Sequence, residues 1–479
     1  MKRLFVSNLI FLLAVNLLVK PFYILGIETE VQNRVGAEVY GSYFALISFS
    51  FLLNILLDFG ITNYNTREIS QNRQLLQKHF GGIVALRFML FVAYSVILMG
   101  VGLLLGYSKY QLGILAILGL NQALASFILY LRSNIAALHK FKADSVMSII
   151  DRLILIGLMS VLLWGNITDQ PFQIEWFVYG QTIAYLITVI LGFILVLYYA
   201  GKVRFKFDRL FMRAILKKSF PYALLVFLMA VYFRTDSVML ERIHPEGAFE
   251  AGIYAMGFRF FEAANMIAFL FGVLLLPIFS RMLQKKENVQ PIASLSFKIL
   301  LSGAIILSVA CVSLPVDILE LRYHNHSELA GPVFAVLMIG FLFVCCTYIF
   351  GTLLTANGSL KQLNRIAIGA VVLNIILNLI LIPDYGAWGC ALTSAITLAL
   401  VALAQIALSI RTFKFRITKG FRWSLGIFLL GMFSLAAGAY VFEYSWVIEL
   451  SVILVAGLAL AMLTGLLHVG RFLELVRER

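Results

Sequence analysis

Charged side chains interrupt the long apolar stretches of this sequence, and they are the residues whose type and position could do chemistry. Those of the first half are Lys20, Asp58, Arg87, Arg132, Asp151 and Arg152. Those of the second half are Arg234, Asp236, Glu241, Arg259 and Glu262. A charge inside a bilayer costs several kcal/mol unless it faces a partner or water, so each is a candidate for binding an ion or an anionic group.

The densest charge lies in two short segments, YFRTDSVMLER and GFRFFEAAN. Arg234 and Asp236 are two positions apart and do not face each other on a helix, so each needs a partner elsewhere. Arg259 and Glu262 are three apart and share a face. Pairs of Asp236 with Arg259, or of Arg234 with Glu262, would form a clamp between two helices. Either the clamp is structural, or its arginines bind an anion when it opens and its carboxylates carry a coupling proton or sodium ion.

Lys20 lies deep in the first apolar stretch, directly before Pro21. Because proline kinks a helix, the ammonium group could reach a central cavity. Alternatively it snorkels to the outer surface, about 10 Å away at ~1.5 Å per residue. Arg87 and Arg132 could likewise face a cleft or snorkel to the cytoplasmic surface. Pairing at the membrane interface is expected for three residues nearer the boundary: Asp58, Asp151 and Arg152.

The elements that must position these charges are membrane-spanning helices. Of the 479 residues, 61% are hydrophobic and 13% are charged, and the mean hydropathy is +0.94. A soluble domain could not bury so much apolar surface, and its charged fraction would be about 25%. Spans must be helical because lipid offers no partner to an open strand edge, and the alternating segments of an outer-membrane barrel are absent. We therefore predict an all-α polytopic membrane protein.

About 14 spans fit the apolar stretches. They cover residues 5–27, 41–61, 81–106, 111–138, 146–166, 174–200, 220–241, 253–283, 294–316, 329–355, 365–383, 387–410, 423–442 and 447–468. The predicted domains are an N-terminal six-helix lobe (1–200), a basic amphipathic cytoplasmic linker (201–219), a C-terminal six-helix lobe (220–410), and two extra C-terminal helices with a cytoplasmic tail (411–479). A weak repeat, starting at Ala137 and again at Ala356, indicates lobes related by a parallel pseudo-repeat, with a substrate cleft between them.

Lysines and arginines outside the spans are concentrated in alternate loops and at the chain ends, whereas the other loops hold only Arg34, Lys109, Arg242 and Arg322. The positive-inside rule places the basic set, and both termini, in the cytoplasm of a bacterium, with the chain in its inner membrane. The net charge of +14 therefore reports topology, and we expect no nucleic-acid partner.

The sequence shows no pattern typical of a metal site, a disulfide framework, a nucleotide-binding loop or a catalytic domain. The four cysteines, Cys311, Cys345, Cys346 and Cys390, fall inside predicted spans and show neither metal-ligand nor disulfide spacing. No nucleotide-binding loop ending in Gly-Lys-Ser or Gly-Lys-Thr occurs, and no loop is long enough for a catalytic domain. We expect no enzyme activity, catalytic residue, metal or cofactor, so uphill transport would need a proton or sodium gradient, the membrane potential or a separate subunit.

Four segments resemble a known family. They are GAEVYGSYFALISFSFLLNILLDFGI, YFRTDSVML, AGIYAMGFRFFE and ANGSLKQLNRIAIGAVVLNIILNLILIPDYGAWGCALTS. Together they resemble the Wzx-type oligosaccharide-lipid flippases of polysaccharide biosynthesis, whose superfamily includes the multidrug and toxic compound extrusion transporters. The second segment has Arg-x-Asp where the family has Arg-x-x-Asp.

The resemblance implies alternating access, with undecaprenyl-diphosphate-linked oligosaccharide moving from the cytoplasmic to the outer leaflet for O-antigen, other lipopolysaccharide, capsule or exopolysaccharide synthesis. It implies that fixed cations hold the diphosphate: Lys20, Arg87, Arg132, Arg234 and Arg259. Membrane lipids, a polysaccharide polymerase and chain-length proteins would be partners. The alternatives are a peptidoglycan-precursor flippase, a multidrug exporter, which would favour an acidic cavity, a membrane-embedded polymerase or ligase, and an unrelated ion-coupled carrier.

Overall fold

The structure, a computed structural model, describes residues 16–62, 65, 69, 74–138, 140–165, 167, 169–200, 209–416, 418–441 and 445–467. Within these residues every regular element is a helix. Residues 1–15, where the first predicted span begins, and residues 201–208, in the predicted linker, lie outside the described part.

The helices follow one another with short connections. Up to Ile243 they are α1 (Thr29–Val35), α2 (Ala37–Leu52), α3 (Ile55–Asp58), α4 (Gln74–Leu104), α5 (Lys109–Ala137), α6 (Phe141–Met147), α7 (Ile150–Trp164), α8 (Ile174–Ala200) and α9 (Arg209–Ile243). The later ones are α10 (Gly247–Gln284), α11 (Gln290–Ser313), α12 (Pro315–Glu320), α13 (Ser327–Ala356), α14 (Leu360–Phe413), α15 (Lys419–Val441) and α16 (Trp446–Leu463). A helical stretch from residue 16 widens into a π-helical turn, Tyr23–Glu28, directly before α1.

Twelve described helical segments are long and apolar enough to cross a membrane. They coincide with predicted spans two to fourteen, because α14 contains two of those spans. This 54-residue helix is broken at Gly386, whose φ of 50° and ψ of −129° are not helical. Glycine adopts positive φ without strain, and Pro383 removes a helical hydrogen bond just before the break. The predicted polytopic all-α fold is confirmed.

Two predicted spans are interrupted helices. α2 ends at Leu52 and α3 begins at Ile55, while α6 ends at Met147 and α7 begins at Ile150. The apolar pattern does not reveal these breaks. Irregular backbone at membrane depth is tolerated only where it is buried in protein or lines a cavity, and both breaks lie close in sequence to charged residues.

The chain divides into two compact units. The first comprises Met1–Arg242 and Glu246–Gly252, and the second comprises Ile243–Pro245 and Ile253–Arg479. Residues 209–219, which belong to the predicted amphipathic linker, begin α9. The four predicted domains, and the surface position of the linker, stay predictions.

Each unit has its own apolar core. In the first, α4, α5 and α8 contribute aromatic and aliphatic side chains, and the rings of Phe80 and Tyr130 stack with centroids 5.8 Å apart. In the second, α11 packs against α15 and α16 through Ile306, Met432 and Ile453. Large apolar side chains on the outside stay exposed, as a lipid-facing surface allows.

A close helix crossing in the first unit depends on small residues. A Cβ atom on Gly41 would collide with the carbonyl oxygen of Ala248, and one on Gly252 would collide with that of Ala37. In each helix the two small residues are four positions apart, which brings helix backbones together in membranes. Gln32 donates a hydrogen bond from Nε2 to the Gly252 carbonyl oxygen, at 2.9 Å. The crossing therefore fixes α2 against the start of α10.

Candidate functional site

Three cations from three helices gather in the first unit. The charges of Arg152 on α7 and Arg132 on α5 both act on Lys20, which precedes the π-helical turn, and Asp151 acts on it with the opposite sign. Lys20 is partly buried. Its ammonium group makes no hydrogen bond or ion pair with the described part of the chain. We call Lys20, Arg132 and Arg152 the basic cluster.

Arg132 is only partly occupied by its carboxylate partner. Its Nε donates to Asp144 Oδ1 of α6 at 2.9 Å, and both side chains are mostly buried. Among the described residues, no hydrogen bond engages the two terminal nitrogens of the guanidinium group. A guanidinium held at one nitrogen keeps its outer fork for a second anion.

Arg152 is held by aromatic rings as well as by a carboxylate. Its guanidinium carbon lies 4.5 Å from the ring centroid of Tyr23, in the π-helical turn, and 5.8 Å from that of Tyr185. Nη1 donates to the Tyr185 hydroxyl at 3.3 Å, and Nε lies 3.7 Å from Asp151 Oδ2. Pairing was expected for Asp151 and Arg152 without named partners, and here they pair with each other while the rings orient the cation.

Arg87 is engaged by protein groups at both terminal nitrogens, whereas its buried Nε has no hydrogen-bond partner among the described residues. It is 6% exposed and donates to Asp58, to Thr62 Oγ1 at 2.6 Å, and to both oxygens of Ser126 at 3.1 Å. Its guanidinium carbon also lies 4.7 Å from the Tyr130 ring centroid. Asp58 in turn accepts from the Thr62 backbone N–H at 3.2 Å, so this lock fixes the chain after α3.

Arg234 and Asp236 lie on α9, in the first unit, and Asp236 is buried. The guanidinium carbon of Arg234 lies 5.1 Å from the Phe51 ring centroid of α2. A cation over a ring face is stabilised by the ring quadrupole. The two side chains belong to different faces of α9, as the spacing predicts.

Arg259 and Glu262 lie on α10, in the second unit. Arg259 is 5% exposed, and its Nη1 lies 2.7 Å from Glu262 Oε2. The expectation that these two residues share a helix face is confirmed. The interhelical pairs of the predicted clamp stay predictions.

The sequence reasoning missed several neighbours of the charged residues. Tyr23, Tyr185 and Asp144 surround the basic cluster, and buried Glu28 acts electrostatically on Arg152. Tyrosines within apolar stretches are a usable signal, because a buried hydroxyl needs a polar neighbour. No sequence signal marks the π-helical turn that carries Tyr23.

A further contact set was missed near the end of α9. Glu241 pairs with Arg242 and accepts a hydrogen bond from Gln111 Nε2 at 3.1 Å. The Arg242 guanidinium carbon lies 4.1 Å from the ring centroid of Tyr107, in the loop before α5. Burial and the charge of Glu241 raise the pKa of the Tyr107 hydroxyl well above its usual range, so it stays protonated.

Among the described residues, no group of three His, Cys, Asp or Glu side chains could hold a metal ion. The four cysteines are buried and form no disulfide. The arrangement offers fixed cations held by tyrosine rings and by single carboxylates, and these cations suit the binding of an anionic ligand.

Comparisons with known proteins agree on family and fold. The family described as polysaccharide biosynthesis protein matches residues 5–283, and no curated protein matches the chain. The structure titled lipid II flippase MurJ, in an inward closed conformation, is similar over 95% of this chain and 98% of its own, with 16% identity and a TM-score of 0.74.

Two transporter structures are also similar. One is an inward-facing multidrug resistance MATE family transporter of the MOP superfamily, with 10% identity over 82% of this chain and 94% of its own, and a TM-score of 0.58. The other is the Vibrio cholerae MATE transporter VcmN in the bent form, with 14% identity over 86% and 97%, and a TM-score of 0.58. At these identities the likeness establishes the fold alone, which the chain shares with these three structures.

Proposed function

The chain belongs to the polysaccharide biosynthesis protein family, and from this membership we propose that it is a flippase for undecaprenyl-diphosphate-linked oligosaccharide. It moves the lipid-linked glycan from the cytoplasmic to the outer leaflet by alternating access, for O-antigen, capsule or exopolysaccharide synthesis. The observation that carries this proposal is the basic cluster, in which Lys20 makes no ion pair with the described part of the chain.

The chemistry of a diphosphate suits this cluster. A diphosphate that leaves water must exchange its hydration for fixed donors, and charge-assisted hydrogen bonds are the strongest available. Lys20 offers an ammonium group, and Arg132 offers two terminal nitrogens that no described residue engages. Arg152 adds a third positive charge held by Tyr23 and Tyr185. Asp144 and Asp151 offset part of this charge, which lowers the cost of an empty site.

The remaining predicted cations have different roles in this proposal. We keep Arg259 as a diphosphate or glycan contact, because its partner Glu262 could exchange for substrate. We keep Arg234 because it adds a fixed positive charge at membrane depth, over the Phe51 ring. Arg87 would have to release Asp58 and Ser126 before it could bind substrate. We therefore assign Arg87 chiefly to structure.

Energy and location complete the proposal. Asp236 and Glu262 are the proposed carriers of a coupling proton or sodium ion, since a carboxylate at membrane depth is typical of ion-coupled transport. The protein lies in the bacterial inner membrane with both ends in the cytoplasm, as the basic loops indicate. A polysaccharide polymerase and chain-length proteins are its proposed partners.

A second candidate substrate is the peptidoglycan precursor. The high coverage of the likeness to a structure titled lipid II flippase favours testing it. Both substrates would present a lipid-linked diphosphate to the same cations. The protein must therefore distinguish them by its contacts with the glycan.

The test is translocation in liposomes. Purified protein is reconstituted with fluorescent undecaprenyl-diphosphate oligosaccharide or with a fluorescent peptidoglycan precursor, and label that crosses the bilayer is measured under proton and sodium gradients. Wild type should translocate the oligosaccharide. Lys20→Gln should reduce the rate about tenfold, because one charge-assisted contact is lost, and Lys20→Arg should retain most of it.

Lys361→Gln is the matched control, because Lys361 is an exposed lysine at the start of α14. It should behave as wild type. If wild type moves neither substrate under any gradient, the flippase proposal is wrong. If it works and Lys20→Gln keeps the full rate, the substrate site lies elsewhere.

A further inference from the structure

A second charged site lies in the second unit, on helices other than those that carry the basic cluster. It is a cavity of about 190 Å³ that opens to the outside, between the first turns of α11, the last turns of α13, the end of α14 and the start of α15. This volume is below the roughly 300–1,000 Å³ typical of sites that enclose a whole ligand, so the cavity would hold only part of a larger molecule.

The walls of the cavity are aromatic and aliphatic. The rings of Phe297 and Phe350 meet edge to face, with centroids 5.2 Å apart, and Phe421 lies 6.2 Å from Phe297. Ile406 and Ile410 of α14 line another side. Burying an acyl chain against such a surface is favourable because it removes apolar area from water. A small hydrophilic ion would provide little of this stabilisation.

Two cations lie at the cavity. The Lys298 ammonium group is 5.5 Å from the Phe421 ring centroid. Gln290 Nε2 donates to the Arg416 carbonyl oxygen at 2.8 Å, and Gln290 Oε1 accepts from the Arg416 backbone N–H at 3.5 Å. These bonds hold the backbone of Arg416 and do not involve its guanidinium group. Within the described residues, neither cation makes an ion pair.

The surroundings add positive charge. Residues 411–422 contain no Asp or Glu. They contain five basic residues, all exposed or at the cavity: Arg411, Lys414, Arg416, Lys419 and Arg422. By the positive-inside rule this connection belongs to the loops proposed to face the cytoplasm, where the leaflet carries anionic lipids.

We propose that this cavity binds an anionic glycerophospholipid. Its phosphate lies between Lys298 and Arg416, and one acyl chain lies against Phe297, Phe350 and Ile406. Basic pockets between membrane helices at the cytoplasmic side recognise such headgroups. The bound lipid would tie the connection before α15, and so the last two helices, to α11. This proposal needs the membrane orientation of the chain but not its flippase activity.

Lipid binding to the full chain in a neutral detergent tests the proposal. Native mass spectrometry and thermal unfolding are measured with phosphatidylglycerol, phosphatidylcholine, glycerol phosphate and inorganic phosphate. Phosphatidylglycerol should bind and raise the unfolding midpoint, and phosphatidylcholine should bind at least about tenfold more weakly, because it lacks net negative charge. Glycerol phosphate and inorganic phosphate should not displace the lipid, since neither fills the apolar wall.

Two double variants sharpen the test. Lys298→Gln with Arg416→Gln should weaken phosphatidylglycerol binding about tenfold or more, whereas Lys298→Arg with Arg416→Lys should keep it. Lys361→Gln with Arg365→Gln is the matched control, because it removes two exposed charges from α14 outside the cavity. Ile406→Trp should fill the cavity and displace the lipid without lowering the lipid-free unfolding midpoint.

Three outcomes would overturn the proposal. The first is equal binding of phosphatidylglycerol and phosphatidylcholine, and the second is full competition by inorganic phosphate, which would indicate a site for a free anion. The third is unchanged binding in the charge-removing double variant. Translocation of labelled glycan is measured separately, so failure of lipid binding and failure of flipping are distinguishable.

Discussion

At the scale of single residues, two cations within predicted spans have opposite surroundings. Arg87 donates to Asp58, Thr62 and Ser126. Lys20 makes no hydrogen bond or ion pair with any described residue. A cation that several protein groups hold, as they hold Arg87, contributes to folding, whereas one kept without a partner lowers stability and is explained more readily by a ligand.

Arg87→Gln should therefore destabilise the protein. It leaves the Asp58 carboxylate without its counter-charge, and because Asp58 is 25% exposed the loss should be about 2 kcal/mol, less than for a fully buried pair. The unfolding midpoint in detergent is the measurement. Asp58→Asn in the same chain should recover part of the loss. An unchanged unfolding midpoint for Arg87→Gln alone would mean that the Arg87–Asp58 pair does not stabilise the fold.

Lys20→Gln, in contrast to Arg87→Gln, should affect transport without lowering stability. Its unfolding midpoint should equal or exceed that of wild type, because an amide is cheaper to bury than a charge, even though its translocation is expected to fall. A large drop in the midpoint would mean that Lys20 has a structural partner, and the loss of transport would then not identify a substrate contact.

The sequence identified these site residues better than it identified their neighbours. Charge inside an apolar stretch is visible in one dimension, so Lys20, Arg132 and Asp151 could be selected. Their partners depend on helix packing, which one sequence does not specify. Spacing alone placed Arg259 and Glu262 on one helix face, whereas their pairing with each other was not predicted.

At the scale of elements, the crossing of α2 with the start of α10 should be sensitive to one methyl group. Gly41→Ala places a Cβ where the Ala248 carbonyl oxygen lies, so the two helices must separate. We expect a loss of about 2 kcal/mol, typical of overpacking, measured from the unfolding midpoint in detergent.

Gly113→Ala is the matched control for Gly41→Ala. Gly113 lies in α5, and a Cβ there meets nothing within 4 Å. Replacing a helical glycine by alanine in open space should stabilise by about 0.5–1 kcal/mol. If both substitutions stabilise equally, the close crossing is absent in the protein.

Hydropathy predicted the helical spans but not their irregularities. The two spans of α14 were separated correctly because Pro383 and Gly386 punctuate the sequence. The interruptions after Leu52 and Met147 carry no such residues. They depend on side-chain bonds such as that of Asn54 Nδ2 to Gln122 Oε1, at 3.3 Å, which join residues far apart in the chain.

At the scale of the whole molecule, the unequal distribution of basic residues between alternate loops is the property that predicts the membrane orientation of the chain. The net charge is +14, and the basic residues outside the spans lie mainly in alternate loops and at the chain ends. Both the flippase proposal and the lipid-site proposal need these loops to face the cytoplasm. The orientation therefore has to be measured independently of either activity.

Cysteine labelling measures this orientation cleanly, because all four native cysteines are buried. Lys286 and His324 are exposed residues in loops predicted to lie on opposite sides. In spheroplasts, a membrane-impermeant maleimide should label His324→Cys and should label Lys286→Cys only after permeabilisation. The opposite pattern would reverse the orientation. One predicted span, 294–316, separates the two loops, so labelling of both from outside would mean an even number of crossings between them and would contradict our topology.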